Sequence, residues 1–248
     1  MAGALLAGVG LIACFAVNAA SYVPFIAIAF WILPRGRAAT SGLDRRHPFA
    51  GMRATLGDRR LRGALLTVLA TGLFSGPLIT FMPVLVRLEL HGDSGVFSAT
   101  ITAFGVGGLL GAGGVLAIDP ARDHRARSSW LAALLGVLVV LAGLDPWRSA
   151  LPAIGAAAGA AMTSSNTLAN AVIQQTSRDD LRGQAVSMYM LAMRGGAALG
   201  SLATGAGIRA LGVRGALVVD GVIAITLQLA IWRANALRQP AHATRGMR

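Results

Sequence analysis

The chain has 248 residues, of which 55% are hydrophobic and only 13% are charged, and its mean hydropathy is +0.65. An ordinary soluble domain has about 25% charged residues, so this composition excludes that class. All 22 basic residues are arginine, and the formal net charge is +12. The arginines lie between apolar segments rather than clustered among base-stacking aromatics, so no nucleic-acid partner is predicted.

Five long segments contain no charged side chain: 1–34, 63–86, 94–118, 128–144 and 149–177. Two more, 183–208 and 215–232, each contain one, at Arg194 and Asp220. A helix crosses the hydrocarbon core with about 20 apolar residues. The sequence therefore predicts an all-α polytopic protein with about seven transmembrane helices in the lipid bilayer.

The predicted helices, in chain order, lie near 8–33, 63–86, 96–118, 129–144, 150–173, 184–208 and 215–233. They divide the chain into a lone transmembrane helix (1–33), an Arg-rich linker (34–62), a six-helix bundle (63–234) and a tail (235–248). Short connections with turn residues such as Gly92 and Gly212 predict antiparallel packing of consecutive helices.

The distribution of arginine predicts the orientation of the chain. The linker 34–62, the connections 119–128 and 174–183, and the C-terminal residues from 233 onward together contain seventeen arginines, whereas the alternate connections contain four. Basic residues concentrate in cytoplasmic loops. We therefore expect a cytoplasmic linker, a cytoplasmic C-terminus and an external N-terminus.

The segment 150–173 and its end have a stripe of polar residues at helical spacing. Its members are Thr163, Asn166, Thr167, Asn170 and Gln174. Such a stripe faces the bundle interior, where it lines an aqueous substrate path or forms hydrogen bonds to neighbouring helices. Both interpretations stay open on the sequence alone.

Arg194 is a single arginine near the middle of a predicted membrane span. It lies twelve residues after Arg182 and fifteen before Arg209, hence about 18 Å and 22 Å from the two ends of the helix. An arginine at this depth pairs with a carboxylate, contacts an anionic substrate or faces water. Asp220 lies nearer the outer surface, and we expect it to be a solvated or capped carboxylate.

Charged residues in two connections form a further candidate group. Asp179, Asp180 and Arg182 are predicted on the same side of the membrane as Arg122, Arg125 and Arg127. They form either a cytoplasmic charge latch or a set of solvated loop charges.

The sequence predicts no catalytic residue, metal site or cofactor. The four histidines lie far apart, without partners at metal-ligand spacing, and the lone cysteine lies in an apolar segment. There is no phosphate-binding glycine loop.

Four stretches together resemble the major facilitator superfamily of transporters, and within it the efflux group that includes the enterobactin exporter. They are 10–34, with the core CFAVNAASY; the Arg-rich linker; the glycine-rich 105–127; and QQTSRDDLRGQAVSM at 174–188, which continues to Gly200 and Ser201. The resemblance covers the chain to about residue 235, and the third stretch departs from the family's tight basic ending, since it has Asp119-Pro120 and a looser spacing of three arginines.

The resemblance implies a twelve-helix transporter of which this chain is the C-terminal part, from the sixth helix onward. It also implies proton-coupled export of a small organic molecule, drug-like or siderophore-like, across a bacterial cytoplasmic membrane. We expect a truncated chain that needs an N-terminal half chain or a second copy, because transport takes two rocking halves. The alternatives are a membrane subunit of a multi-component transporter and a non-transporting membrane protein.

Overall fold

A computed structural model describes residues 16, 19–24, 26–28, 56–117, 124–145, 147, 149–178 and 181–236. The chain forms two compact units, Met1–Arg46 and His47–Arg248. In the first unit the described residues are helical and exposed, within the predicted lone helix. The second unit contains the rest. The described residues contain no β-strand, and the predicted all-α, polytopic membrane fold is confirmed.

The second unit consists of helices joined by short connections. They are α1 (Arg59–Ser75), α2 (Pro77–Val84) with a following π-helical turn (Leu85–Glu89), α3 (Ser94–Leu116), α4 (His124–Leu144), α5 (Leu151–Thr176) and α6 (Arg182–Ala236). Asp58 and Asp93 cap α1 and α3, because their carboxylates accept hydrogen bonds from Arg60 N at 2.7 Å and Val96 N at 3.0 Å. Such caps satisfy the free N–H groups of a first helical turn.

Four segments of the described residues are long and apolar enough to cross a bilayer: Arg59–Glu89, Ser94–Leu116, His124–Leu144 and Arg182–Ala234. The last has 53 residues and would extend for about 80 Å if it were straight, far beyond a hydrocarbon core of about 30 Å. It turns back at Gly212, whose φ of 70° and ψ of 172° are not helical. The predicted turn at Gly212 thus divides α6 into a first arm (182–211) and a second arm (213–236).

The predicted second helix, 63–86, is longer and less regular than expected. It begins at Arg59, since Asp58 caps it, and its regular hydrogen bonding changes at Gly76, directly before Pro77. Pro83 lies inside α2, and the π-helical turn follows. Proline lacks the backbone N–H that a regular helix donates at each position. The predicted helix therefore consists of three shorter helical segments, α1, α2 and the π-helical turn.

The helices of the second unit pack as two layers. In one layer α5 lies between α3 and α4, and in the other α1 lies beside the first arm of α6. The second arm of α6 packs on α4, and α5 also packs on α1. These contacts leave α3 and the first arm at the open edges of their layers.

Glycine permits the closest helix contacts. A Cβ at Gly107 of α3 would overlap the carbonyl oxygen of Ala156 in α5, and one at Gly200 of the first arm would overlap the carbonyl oxygen of Leu73 in α1. In α4, a Cβ at Gly136 would lie 3.1 Å from the carbonyl oxygen of Gly221 in the second arm. Small residues at such crossings let membrane helices approach closely.

Buried polar side chains also connect the layers. The Gln228 side chain in the second arm is fully buried, and its Nε2 donates to Thr67 O at 3.0 Å and Thr71 Oγ1 at 3.3 Å in α1. The hydroxyls of Thr67 and Ser129 in α4 lie 3.2 Å apart. In hydrocarbon these groups have no water to bind, so together the bonds fix how α1, α4 and the second arm are aligned.

Candidate functional site

The predicted polar stripe lies on α5, the helix that contacts both layers. Thr163, Asn166 and Asn170 are half-buried, whereas Thr167 and Gln174 are exposed. Thr163 faces α3, because a Cβ built on Gly108 would meet Thr163 Oγ1 at 2.9 Å. Thr163, Asn166 and Asn170 are thus the partly enclosed members of the stripe, and Thr167 and Gln174 are its exposed members.

The side-chain oxygens of Asn166 and Asn170 lie in an unusual environment. Both Oδ1 atoms are buried, and neither accepts a hydrogen bond from the described residues. The Asn166 backbone carbonyl accepts a hydrogen bond from Tyr189 OH of the first arm at 3.4 Å. A buried acceptor without a donor costs about 1–3 kcal/mol, so two such oxygens one helical turn apart mark a place where a donor from water or a ligand is favoured.

Arg194 lies in the first arm and is exposed. Within the described residues its guanidinium has no hydrogen bond and no ion pair. The large neighbours within one turn on its exposed side, Met190 and Leu191, are apolar and 49% and 71% exposed, whereas Ser187 and Ser201, two turns before and after it, are polar. A lone cation on an apolar, membrane-spanning helix face is unfavourable against lipid.

The depth of Arg194 follows from the contact between Tyr189 and Asn166. Arg194 lies five residues after Tyr189, which is about 7.5 Å further along the axis of the first arm. Thr163 lies three residues before Asn166, about 4.5 Å in the same direction on α5, since the two helices run antiparallel. Arg194 and the stripe are thus at similar depth in the bundle. The Arg194 side chain does not contact α5, however, because it projects from the first arm about 140° around the helix axis from Tyr189.

The candidate latch is only partly within the described residues. Arg122, Asp179 and Asp180 lie outside them. Ser165 in α5 donates to Ser128 O of α4 at 2.8 Å, and Tyr189 of the first arm contacts Asn166 in the same part of α5. The starts of α4 and α6, with Arg125, Arg127 and Arg182, therefore lie at the same end of the bundle.

The sequence interpretation missed the residues that bind α5 to its neighbours. Ser164 Oγ donates to Gly111 O of α3 at 3.0 Å, and Ser128 Oγ donates to Ser165 O at 3.0 Å. Ser164 and Ser165 adjoin the stripe on α5 but lie on a different face, so the helical spacing of the stripe gave no signal for them. Their interhelical bonds fit the role that the sequence offered as one alternative for the stripe itself.

For Asp220 the sequence left two alternatives, a solvated or a capped carboxylate. Its side chain is 9% exposed, and Oδ2 accepts a hydrogen bond from Thr204 Oγ1 at 2.6 Å. It is therefore a buried carboxylate bound by the first arm rather than a solvated one. Thr204 and Asp220 lie eight residues before and after Gly212, so the turn brings them to the same level of the two arms.

The comparisons with known proteins add one finding. A family model described as transmembrane secretion effector matches residues 1–245. No curated protein and no solved structure matches this chain.

Proposed function

Because the chain belongs to the transmembrane secretion effector family of major-facilitator-type transporters, we propose that it takes part in secondary efflux of a small organic molecule, as in the group that includes the enterobactin exporter. Membership supports a multi-pass membrane transporter and a small-molecule substrate. We propose in addition that the direction of transport is efflux, that a proton gradient drives it, and that the substrate is drug-like or siderophore-like.

The observation that carries this proposal is the exposed, unpaired Arg194 on a largely apolar membrane-spanning helix. A guanidinium at the middle of a membrane needs water, a carboxylate or an anionic ligand. Within the described residues it has no carboxylate partner. We therefore propose that Arg194 faces the substrate path and that the transported molecule carries a negative or strongly polar group.

The path runs, in this proposal, along the open edge of the bundle between α3 and the first arm of α6. Thr163, Asn166, Asn170 and Gln174 of α5 line its floor. The unpartnered oxygens of Asn166 and Asn170 accept hydrogen bonds from water or from substrate donors, while Arg194 supplies the positive charge. Together they offer one cation and several acceptors to a polar molecule.

The remaining parts of the proposal concern the whole transporter. The segments 1–33, 34–62, 63–234 and 235–248 serve as lone helix, linker, bundle and tail, with the C-terminus in the bacterial cytoplasm. Asp179, Asp180 and Arg182 form a cytoplasmic latch with Arg122, Arg125 and Arg127. An N-terminal half chain or a second copy completes the path, since transport by this mechanism takes two halves that rock about a central site.

The proposal is tested with the purified chain in proteoliposomes, alone and together with an N-terminal half, under an imposed pH gradient. The probe is carboxyfluorescein, a small organic anion. We expect gradient-dependent dye flux from the wild type and at least a tenfold slower flux from Arg194→Gln. Removal of a charged hydrogen bond costs about 1.5–3 kcal/mol, which corresponds to roughly a tenfold to hundredfold change in rate.

The matched control is Arg209→Gln, since Arg209 is an exposed arginine of the same arm. It should transport at the wild-type rate. Equal flux from Arg194→Gln and Arg209→Gln would contradict the role of Arg194. No gradient-dependent flux from the wild type, either alone or with an N-terminal half, would contradict the transporter proposal itself.

A further inference from the structure

An apolar groove lies between α1 and the first arm of α6. It encloses about 430 Å³, and all of its lining residues are apolar or glycine except Arg62. Leu65 and Leu69 form the α1 wall, while Leu191, Gly195 and Leu199 form the opposite wall. Leu191 and Leu199 are 71% and 61% exposed, so the groove is open along its length.

The groove has the length of one bilayer leaflet. From Met188 to Leu199, the limits of its lining on the first arm, eleven residues span about 16 Å along the helix. Half of a hydrocarbon core is about 15 Å. A groove of this length accommodates an acyl chain of one leaflet, whereas a transmembrane helix packed there would need a contact surface through both leaflets.

The charge at one end of the groove indicates the headgroup. Arg62 lies among the lining residues, is exposed and has no side-chain hydrogen bond or ion pair within the described part of the chain. Arg59 and Arg60, also exposed, lie in the same turn of α1. Basic pockets between membrane helices on the cytoplasmic side bind anionic lipid headgroups.

We propose that this groove binds an anionic phospholipid of the leaflet at the Arg62 end, with one acyl chain between α1 and the first arm and the phosphate on Arg62. The groove opens on a different side of the first arm from Arg194, because Met188, Gly195 and Leu199 of its lining lie about 100–140° around the helix from Arg194, and Leu191 borders both sides. It goes beyond the proposed transport function and does not depend on it.

The test uses the full chain reconstituted in phosphatidylcholine vesicles that contain a trace of phosphatidylglycerol with a photoactivatable acyl chain. After illumination, tryptic peptides are mapped by mass spectrometry. We expect labelling of the peptides 183–194 and 195–209, and several-fold less labelling when the same photoactivatable chain is carried by phosphatidylcholine. Arg62→Gln should lower the phosphatidylglycerol labelling about fivefold, since one basic residue near the surface contributes about that factor.

A second variant occupies the groove itself. A Cβ at Gly195 meets only Leu191 Cδ1 at 3.6 Å, so Gly195→Leu begins its side chain in ordinary contact with the groove wall and should remove most of the labelling. The matched control is Gly113→Leu on α3, where an added Cβ has nothing within 4 Å. Three results would each overturn the proposal. The first is equal labelling by the two lipids, and the second is labelling that stays unchanged in Arg62→Gln and Gly195→Leu. The third is no labelling of these peptides, as expected if another helix covers the groove.

Discussion

Asp220 and Thr204 show how a charged group is accommodated inside this bundle. The carboxylate of Asp220 is almost fully enclosed, and the Thr204 hydroxyl on the opposite arm donates to it at 2.6 Å. Within the described residues no cation lies within ion-pair distance of it. The bond therefore holds the two arms of α6 together on both sides of the Gly212 turn.

The Thr204→Val variant should be less stable than the wild type. Valine has nearly the shape of threonine but removes the donor, so a buried carboxylate oxygen loses its partner at a cost of about 1–3 kcal/mol. Thermal unfolding of the purified protein in detergent, followed by circular dichroism, measures the loss.

Thr226→Val is the control on the same helix, since Thr226 is exposed and donates only to carbonyls of its own turn, Val222 O at 3.1 Å and Ile223 O at 2.9 Å. It should change the unfolding temperature little. If Thr204→Val unfolds like Thr226→Val, the Thr204–Asp220 bond does not hold the arms.

At the scale of helices, α3 has two glycine faces with different environments. Gly107 and Gly111 are buried against α5, where an added Cβ would meet backbone oxygens of Ala156 and Ala160. Gly105, Gly113 and Gly114 have open space. The glycine-rich pattern of 105–114 thus contains closely packed positions and permissive ones, which the sequence pattern alone does not separate.

Substitution of these glycines by alanine should have opposite effects. Gly107→Ala should strongly destabilise the bundle, because the overlap with backbone forces α3 and α5 apart. Gly113→Ala should stabilise it by about 0.5–1 kcal/mol, since alanine is the better helix former at an unobstructed site. Unfolding temperatures and the monodisperse fraction on size-exclusion chromatography report both effects, and similar behaviour of the two variants would contradict the α3–α5 contact described here.

At the scale of the whole molecule, two layers of helices leave their open edges at α3 and the first arm. The exposed side chains there are apolar, such as Leu109 and Leu110 in α3, at 76% and 71% exposed, and Leu202 in the first arm. In water this surface would be unfavourable, whereas in a bilayer it faces lipid or another helix. Arg194 on the first arm and Arg62 at the groove are both exposed cations, and each needs a partner of its own.

The predicted orientation has a direct test with fusions. A fluorescent protein joined after residue 236 should fluoresce, and alkaline phosphatase joined there should be inactive, because seventeen arginines on that side against four favour a cytoplasmic end. Alkaline phosphatase inserted at Gly92, in the turn between Glu89 and Ser94, should be active. The reverse activities would show that the arginine distribution does not set the orientation.

Several elements followed from the sequence because they depend on local properties. The apolar segments predicted α3, α4 and α5 to within a few residues, and the turn at Gly212 was expected from glycine, which adopts a positive φ without steric cost. Hydropathy predicts the start of α1 four residues late, since it does not register a cap such as Asp58. Helical spacing predicts the stripe on α5 but not its division into buried and exposed members.

The sequence by itself determined that this is a helical membrane protein, where its helices run and which charged residues lie within them, since hydrophobicity and helical period act over a few turns of chain. Only the tertiary structure decided which polar atoms meet. Thr67 and Gln228, 161 residues apart, are joined by the packing of α1 on the second arm, and no local pattern encodes that contact. The same holds for the Thr204–Asp220 bond, for the exposure of Arg194 and for the groove at Arg62.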